Sequence, residues 1–198
     1  MIYAIVEFIV VMLSAATFEN IIFTRAIGVD NTALTLKNRR HILIYGGLTT
    51  LVQLAAVFMN ILVKLLMKNV QLPAYIKNIV YLSSVLISYL VIMYLIKYFN
   101  TKFYDKIKYK LLIASLSGCV YGTVLIISMK NCDFLDSIAY ALGSGLGFTL
   151  SLLMIKAGRE RLAVTKVPKA FKGLPITLMY LGVLSLAIYG LIGHQLPS

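Results

Sequence analysis

Chemistry-bearing side chains interrupt otherwise apolar stretches at two places in this sequence. Cys119 lies in Ser117-Gly118-Cys119, at the middle of the apolar run Leu111–Met129. Its sulfur is either a small packing group or a thiolate ligand for an iron–sulfur cluster or a metal. Asp30 follows Gly28 and Val29. It either caps a short helix after a break, or offers a carboxylate to an ion near the membrane centre, or stands in for another ligand. Glu19, Asn20 and Arg25 share the same segment as Asp30. Glu19 and Arg25 are six residues apart, so they do not face each other on a regular helix. Both need partners elsewhere, either in a cation path or in a structural polar network. Polar groups at membrane depth are costly, which makes these positions candidate sites.

The elements that must position them are membrane-spanning helices. Hydrophobic residues make up 60% of the 198 residues and charged residues 13%, far from the composition of soluble domains. The apolar runs are Ile2–Leu36, Ile42–Met67, Ile76–Ile96, Leu111–Met129, Phe134–Ile155 and Leu174–Ile192. Five suit one span each. The first is too long: a straight helix rising ~1.5 Å per residue over it would measure ~50 Å against a ~30 Å core. Gly28 to Asn31 is the natural break, and broken helices are tolerated only where protein or a cavity covers the freed backbone. The fold expected is an all-α integral membrane protein of six spans, one domain over residues 1–198. Spans 1 and 4 are broken, and the halves 1–99 and 100–198 hold three spans each. The first segment carries Glu7 and lacks a basic flank, so it reads as a retained span and not as a removed signal peptide.

Charge sets the orientation. Fourteen of the 19 Lys and Arg residues fall after spans 1, 3 and 5, while Lys64, Lys68, Lys77 and Lys130 lie on the other side. The positive-inside rule puts the larger group in the cytoplasm and both termini outside. The second half then enters the membrane from the opposite side to the first, the arrangement of an inverted 3+3 repeat; an unrelated six-helix bundle is the other possibility. The formal charge of +12 is explained by this topology and does not indicate nucleic-acid binding.

Other patterns have plainer readings. Gly118 and Gly122, and likewise Gly143 and Gly147, have the spacing that lets helices approach closely. The glycines around Ser144 lack a preceding strand, so they are not a dinucleotide-binding loop. Lys97 to Lys110 alternates lysine with aromatic residues, as an interfacial segment does. Cys119 and Cys132 form no disulfide framework and read as free thiols. His41 and His194 have no second ligand at a metal-binding spacing.

Several of these stretches together resemble the RnfA/NqrE group of Rnf-Nqr membrane subunits. They are Glu19-Asn20 with Thr24-Arg25-Ala26-Ile27-Gly28, then Cys119, then Asp136 through Phe148, Ala157-Gly158-Arg159-Glu160-Arg161, Val167-Pro168 and Lys172 through Thr177. The resemblance implies a membrane subunit of an ion-translocating electron-transfer complex in the inner membrane of a prokaryote. Such a chain is not a catalyst by itself. It implies an inverted homologous partner of the RnfE/NqrD type, other subunits, and transport of sodium or protons. It also implies a two-iron two-sulfur cluster shared with that partner, each chain giving one cysteine from span 1 and one from span 4. Cys119 matches the span-4 ligand, whereas Asp30 occupies the span-1 position and Gly118 replaces the asparagine usual before the cysteine. The alternative implied is a cluster-free paralogue, alone or as a homo-oligomer, acting as a small transporter or assembly subunit.

Overall fold

The computed structural model describes residues 2–29, 38–67, 73–130, 132–164, 168 and 171–192. These residues form seven α-helices and no strand. They are α1 (Ile2–Ala16), α2 (Arg39–Leu66), α3 (Ala74–Phe99), α4 (Thr101–Ser115), α5 (Gly118–Lys130), α6 (Phe134–Val164) and α7 (Leu174–Ile192). Helices α2 and α6 form the centre and pack on one another; α1 lies along α6, α5 and α3 lie against α2, and α7 borders α6.

The polarity of these helices is that of a chain dissolved in lipid. On α2 the buried face runs Tyr45, Thr49, Val52, Gln53, Ala56 and Asn60, at the three- and four-residue spacing of one helix side. Its other face exposes Leu43, Leu51, Phe58, Leu62 and Leu66. Likewise α3 buries Ser84 and Ser88 while exposing Leu82, Leu86, Leu90 and Val91. In water such an arrangement would leave large apolar patches uncovered.

Among the described residues three helices are long and apolar enough to cross a membrane, and a fourth span forms if the pair around Ser117 is counted as one. That pair bends by 41° between Ser115 and Gly118, so the apolar run from Leu111 is broken as expected. Helices α1 and α7 are apolar but shorter. The first run departs from its expected course. Its helix ends at Ala16, and residues 17–29 follow as turns, so the break comes well before Gly28–Asn31. Asn20 explains the difference: its side chain competes for the backbone that would have continued the helix. Its Oδ1 accepts from the backbone N–H of Ile22 at 3.1 Å and of Phe23 at 3.4 Å. Its Nδ2 donates to the carbonyl of Ala16 at the helix end, at 3.0 Å. Asp30, with residues up to Lys37, lies outside the described residues.

The spacing of Gly143 and Gly147 acts as expected. A Cβ on Gly147 would stand 2.6 Å from the Ala16 carbonyl oxygen, and one on Gly143 would overlap the backbone of Met12. These two positions let α1 seat directly on α6. Gly158 gives the same access to the Tyr180 ring of α7. The lysine-rich stretch from Lys97 is helical on both sides of the junction at Asn100, with Tyr98, Phe99 and Tyr109 exposed.

Candidate functional site

The two broken segments meet. Gly28, at φ 88°, lies over the first turn of α5: a Cβ there would stand 3.1 Å from the Cys119 Cβ and 2.9 Å from the Phe148 ring. Only glycine tolerates both this backbone and this approach. Ala26 also has positive φ, at 53°, so the turn before Gly28 is held in an uncommon conformation for a residue with a side chain. Gly118 and Gly122 receive Ile27, whose Cγ2 would be 3.4 Å and 3.1 Å from added Cβ atoms. Ser117 begins α5, its Oγ accepting from the Cys119 N–H at 3.3 Å.

Cys119 is fully buried, and its sulfur faces α2. Gln53 of α2, itself 0% exposed, donates from Nε2 to the Cys119 Sγ at 3.1 Å and to Thr123 Oγ1 at 2.9 Å. Ser144 of α6 completes the group, its Oγ 2.9 Å from Thr123 Oγ1 and 3.5 Å from Gln53 Nε2. Gly145 lets α2 approach here: a Cβ would overlap the Thr50 side chain and stand 2.8 Å from Gln53 Oε1. That Oε1 is buried and has no hydrogen-bond partner among the described residues.

Asn20 serves a different network. Besides the bonds at its own turn, its Nδ2 donates to the Gly147 carbonyl at 2.9 Å, and its Oδ1 lies 2.9 Å from the Ser151 hydroxyl. Glu19 pairs with Lys130 at the end of α5, with Nζ 2.6 Å from Oε1, and both side chains are partly exposed. The Lys130 ammonium also stands 5.2 Å from the centroid of the Tyr140 ring. Arg25 is exposed. The three residues grouped by sequence therefore separate: Asn20 goes to the α1–α6 packing, Glu19 to Lys130, and Arg25 to the surface.

A concavity of about 280 Å³ is bordered by Asn60, Lys64, Ile127 and Cys132. Cys132 lies in the connection between α5 and α6, and burial pushes its pKa above the ordinary thiol value. Neither Cys132 nor Cys119 is disulfide-bonded.

The sequence singled out Cys119 and the Gly28 turn but not Gln53, Thr123 or Ser144. Gln53 carried a usable signal, a lone amide in the middle of an apolar span. Thr123 and Ser144 did not, since single hydroxyls are ordinary in membrane helices.

A two-iron two-sulfur cluster takes four ligands. Among the described residues no three of His, Cys, Asp or Glu converge on one point. Cys119 offers one sulfur of such a set, buried at the start of a helix and accepting an N–H bond from Gln53 of the same chain.

Comparison with known proteins agrees with this architecture. The defining pattern of the family described as "Rnf-Nqr subunit, membrane protein" matches residues 8–194. Over 188 residues, 95% of this chain and 98% of its relative, the sequence is 26% identical to the A subunit of the Na(+)-translocating ferredoxin:NAD(+) oxidoreductase complex of Acetobacterium woodii. A 74-residue stretch is 43% identical to the A subunit of the ion-translocating oxidoreductase complex of Azoarcus sp., covering 37% of this chain and 38% of that relative. The same-named protein of Vibrio atlanticus is 42% identical over 74 residues, with the same coverage. With its apolar outward faces and its match over nearly the whole length, this chain belongs to the Rnf-Nqr family of membrane protein subunits.

Proposed function

We propose that this chain is the A-type membrane subunit of an ion-translocating electron-transfer complex, and that Cys119 marks its mid-membrane site. The observation that carries this reading is the meeting of the two broken segments at Gly28 and Cys119, in a chain similar over 95% of its length to a protein of that kind. In this reading the chain crosses the inner membrane six times as an inverted repeat, with both termini outside. Its partners are an inverted homologue and further subunits, and the ion moved is sodium or a proton. On this reading the chain is not a catalyst by itself and works in the assembly.

Cys119 would hold one iron of a two-iron two-sulfur cluster shared with the partner, and Asp30 would occupy the second ligand position of this chain. Bound there, the cluster supplies one-electron transfer. The chain's own residues do the rest. Gly28 and Phe148 close over Cys119 and keep water from the sulfur. Ser117 fixes the start of α5, its Oγ accepting from the Cys119 N–H and its carbonyl from the Val120 N–H. Of the ion-path candidates Glu19, Asn20 and Arg25, Glu19 with its partner Lys130 and the exposed Arg25 remain open to ions, whereas Asn20 is taken up by the packing of α1 on α6.

Anaerobic purification with the partner subunits, followed by iron and sulfide analysis and electron paramagnetic resonance after reduction, tests this. Iron and a reduced-cluster signal are expected, and both fall in Cys119→Ser. An intact complex without iron would remove the redox role from this chain. A second reading, a cluster-free transporter or assembly subunit, draws on Asp30 standing where the family has cysteine. Asp30→Cys separates the two: it strengthens iron retention in the first reading and leaves it unchanged in the second.

A further inference from the structure

A cavity of about 330 Å³ opens between the start of α2 and the later part of α6, bordered by Arg39, Leu43, Leu153, Lys156, Ala157 and Glu160. Leu43, Leu153 and Ala157 give it apolar walls, and the charged groups stand together. Arg39 Nη2 lies 4.0 Å from Glu160 Oε2, and Lys156 Nζ lies 3.4 Å from Oε1 of the same carboxylate. Glu160 therefore gathers one cation from each helix. The Lys156 side chain is largely buried, whereas that of Arg39 is exposed. Arg40 follows Arg39, and Arg159 and Arg161 flank Glu160, so residues 39–40 and 156–161 carry five basic groups and one acidic group.

The walls continue the lipid-facing surface. On α6, Leu146, Leu150 and Met154 are exposed at four-residue spacing, and the exposed Ala157 follows three residues on, on the same face. On α2, Leu43 and Leu51 are exposed two turns apart, and a Cβ on Gly47 between them would meet nothing within 4 Å. An apolar helix surface meets a basic rim at this cavity, as at the boundary between hydrocarbon and headgroups. By the positive-inside rule this end of both helices faces the cytoplasm, where the leaflet is anionic.

The combination selects among occupants. A free inorganic anion needs donors on several sides, and hydrocarbon walls supply none. Water likewise finds too few polar partners there. A zwitterionic lipid would fill the walls but bring its own cation towards a basic rim. An anionic phospholipid suits both parts: its chain lies against leucine, and its phosphate accepts from a guanidinium and an ammonium.

We propose that the cavity between α2 and α6 is a binding site for one anionic phospholipid of the cytoplasmic leaflet. Arg39 and Lys156 donate to the headgroup phosphate, and Leu43, Leu153 and Ala157 receive the first part of an acyl chain. Glu160 is a positioning residue that holds both cations at the rim. The proposal rests on the membrane class of the chain and not on the cluster reading. To test it, the assembled complex in detergent is titrated with a phosphatidylglycerol carrying a photoreactive group on its acyl chain, and crosslinks on this chain are mapped by mass spectrometry. Crosslinks are expected near Leu43 and Ala157, displaced by phosphatidylglycerol but not by phosphatidylcholine or inorganic phosphate. Arg39→Gln with Lys156→Gln is expected to raise the lipid concentration needed by roughly thirtyfold, at about 1 kcal/mol for each basic residue. Lys97→Gln with Lys110→Gln removes as much charge elsewhere and is expected to leave it unchanged. Ala157→Trp keeps the charges, fills the cavity from an exposed position and is expected to abolish these crosslinks. It gives the result if the double variant does not accumulate. Equal displacement by phosphatidylcholine, displacement by inorganic phosphate, or an equal loss in the Lys97 and Lys110 variant would overturn the proposal. So would the absence of crosslinks on α2 and α6, which would mean that another subunit covers the cavity.

Discussion

Two buried amides, Asn20 and Gln53, serve the two broken segments in opposite ways. Asn20 is satisfied at every position: its nitrogen donates to Ala16 and Gly147, and its oxygen accepts from Ile22 and Phe23 and lies against the Ser151 hydroxyl. It closes a helix end and ties a turn to α6. Gln53 turns its nitrogen to a sulfur and two hydroxyls and leaves its oxygen unpartnered among the described residues. A fully satisfied buried network rigidifies, whereas an incompletely satisfied one beside a reactive group marks a site whose purpose is not stability.

This contrast predicts different responses to substitution. Asn20→Leu should have the largest effect on stability. It strips partners from several buried backbone groups, and at about 1–3 kcal/mol for each unsatisfied group the folded chain should fail to accumulate. Yield and monodispersity in detergent measure this; a well-behaved Asn20→Leu protein would break the comparison from its structural side. Gly147→Ala should come next, because its Cβ would stand 2.6 Å from the Ala16 carbonyl oxygen. Overpacking of this kind costs about 1–3 kcal/mol and should appear as a lower thermal midpoint, with Gly28→Ala behaving similarly and also disturbing Cys119.

Gln53→Met should be far milder for stability, within about 1 kcal/mol, because it replaces an incompletely paired amide with an apolar group of similar volume. Its thermal midpoint should stay near that of the parent. A midpoint as low as that of the Asn20 variant would place Gln53 with the structural network. Glu19→Gln should do least, about 0.5 kcal/mol, because the pair with Lys130 is partly exposed.

Cys132 gives a pH control outside the membrane-spanning segments. Burial raises its pKa, so its thiol should stay protonated and label slowly through the ordinary thiol range, speeding up only at more alkaline pH. The sign for stability follows. A raised pKa in the folded state stabilises below the unfolded-state value, and that contribution is lost as pH rises through the folded value.

Much of this was legible in the sequence because the physics behind it is local. A run of apolar residues must be helical in lipid, since every backbone group needs an internal partner there. Five of the six expected runs accordingly coincide with helices, including the break around Ser117. The pair Gly143 and Gly147 also read correctly as a close helix approach, whereas Gly118 and Gly122 receive Ile27 of a turn and not a second helix. The first run did not read correctly. Gly28 was the conspicuous breaker, yet the helix ends at Ala16 because Asn20 finds its remaining partners, Gly147 and Ser151, on a helix more than a hundred residues away.

The sequence alone determined the membrane class, the order of the helices, the two broken segments and the special positions Gly28 and Cys119. Each follows from composition or from residues near one another in the chain. Only the tertiary structure decided that the two segments touch, that Glu19 and Asn20 part company, and that Gln53 on α2 supplies the donor to the sulfur on α5. Hydrogen-bond partners across helices depend on which faces meet and at what height. Glycines at the crossings of α6 with α1 and α2 set how closely those faces approach, and neither quantity is a property of a single segment.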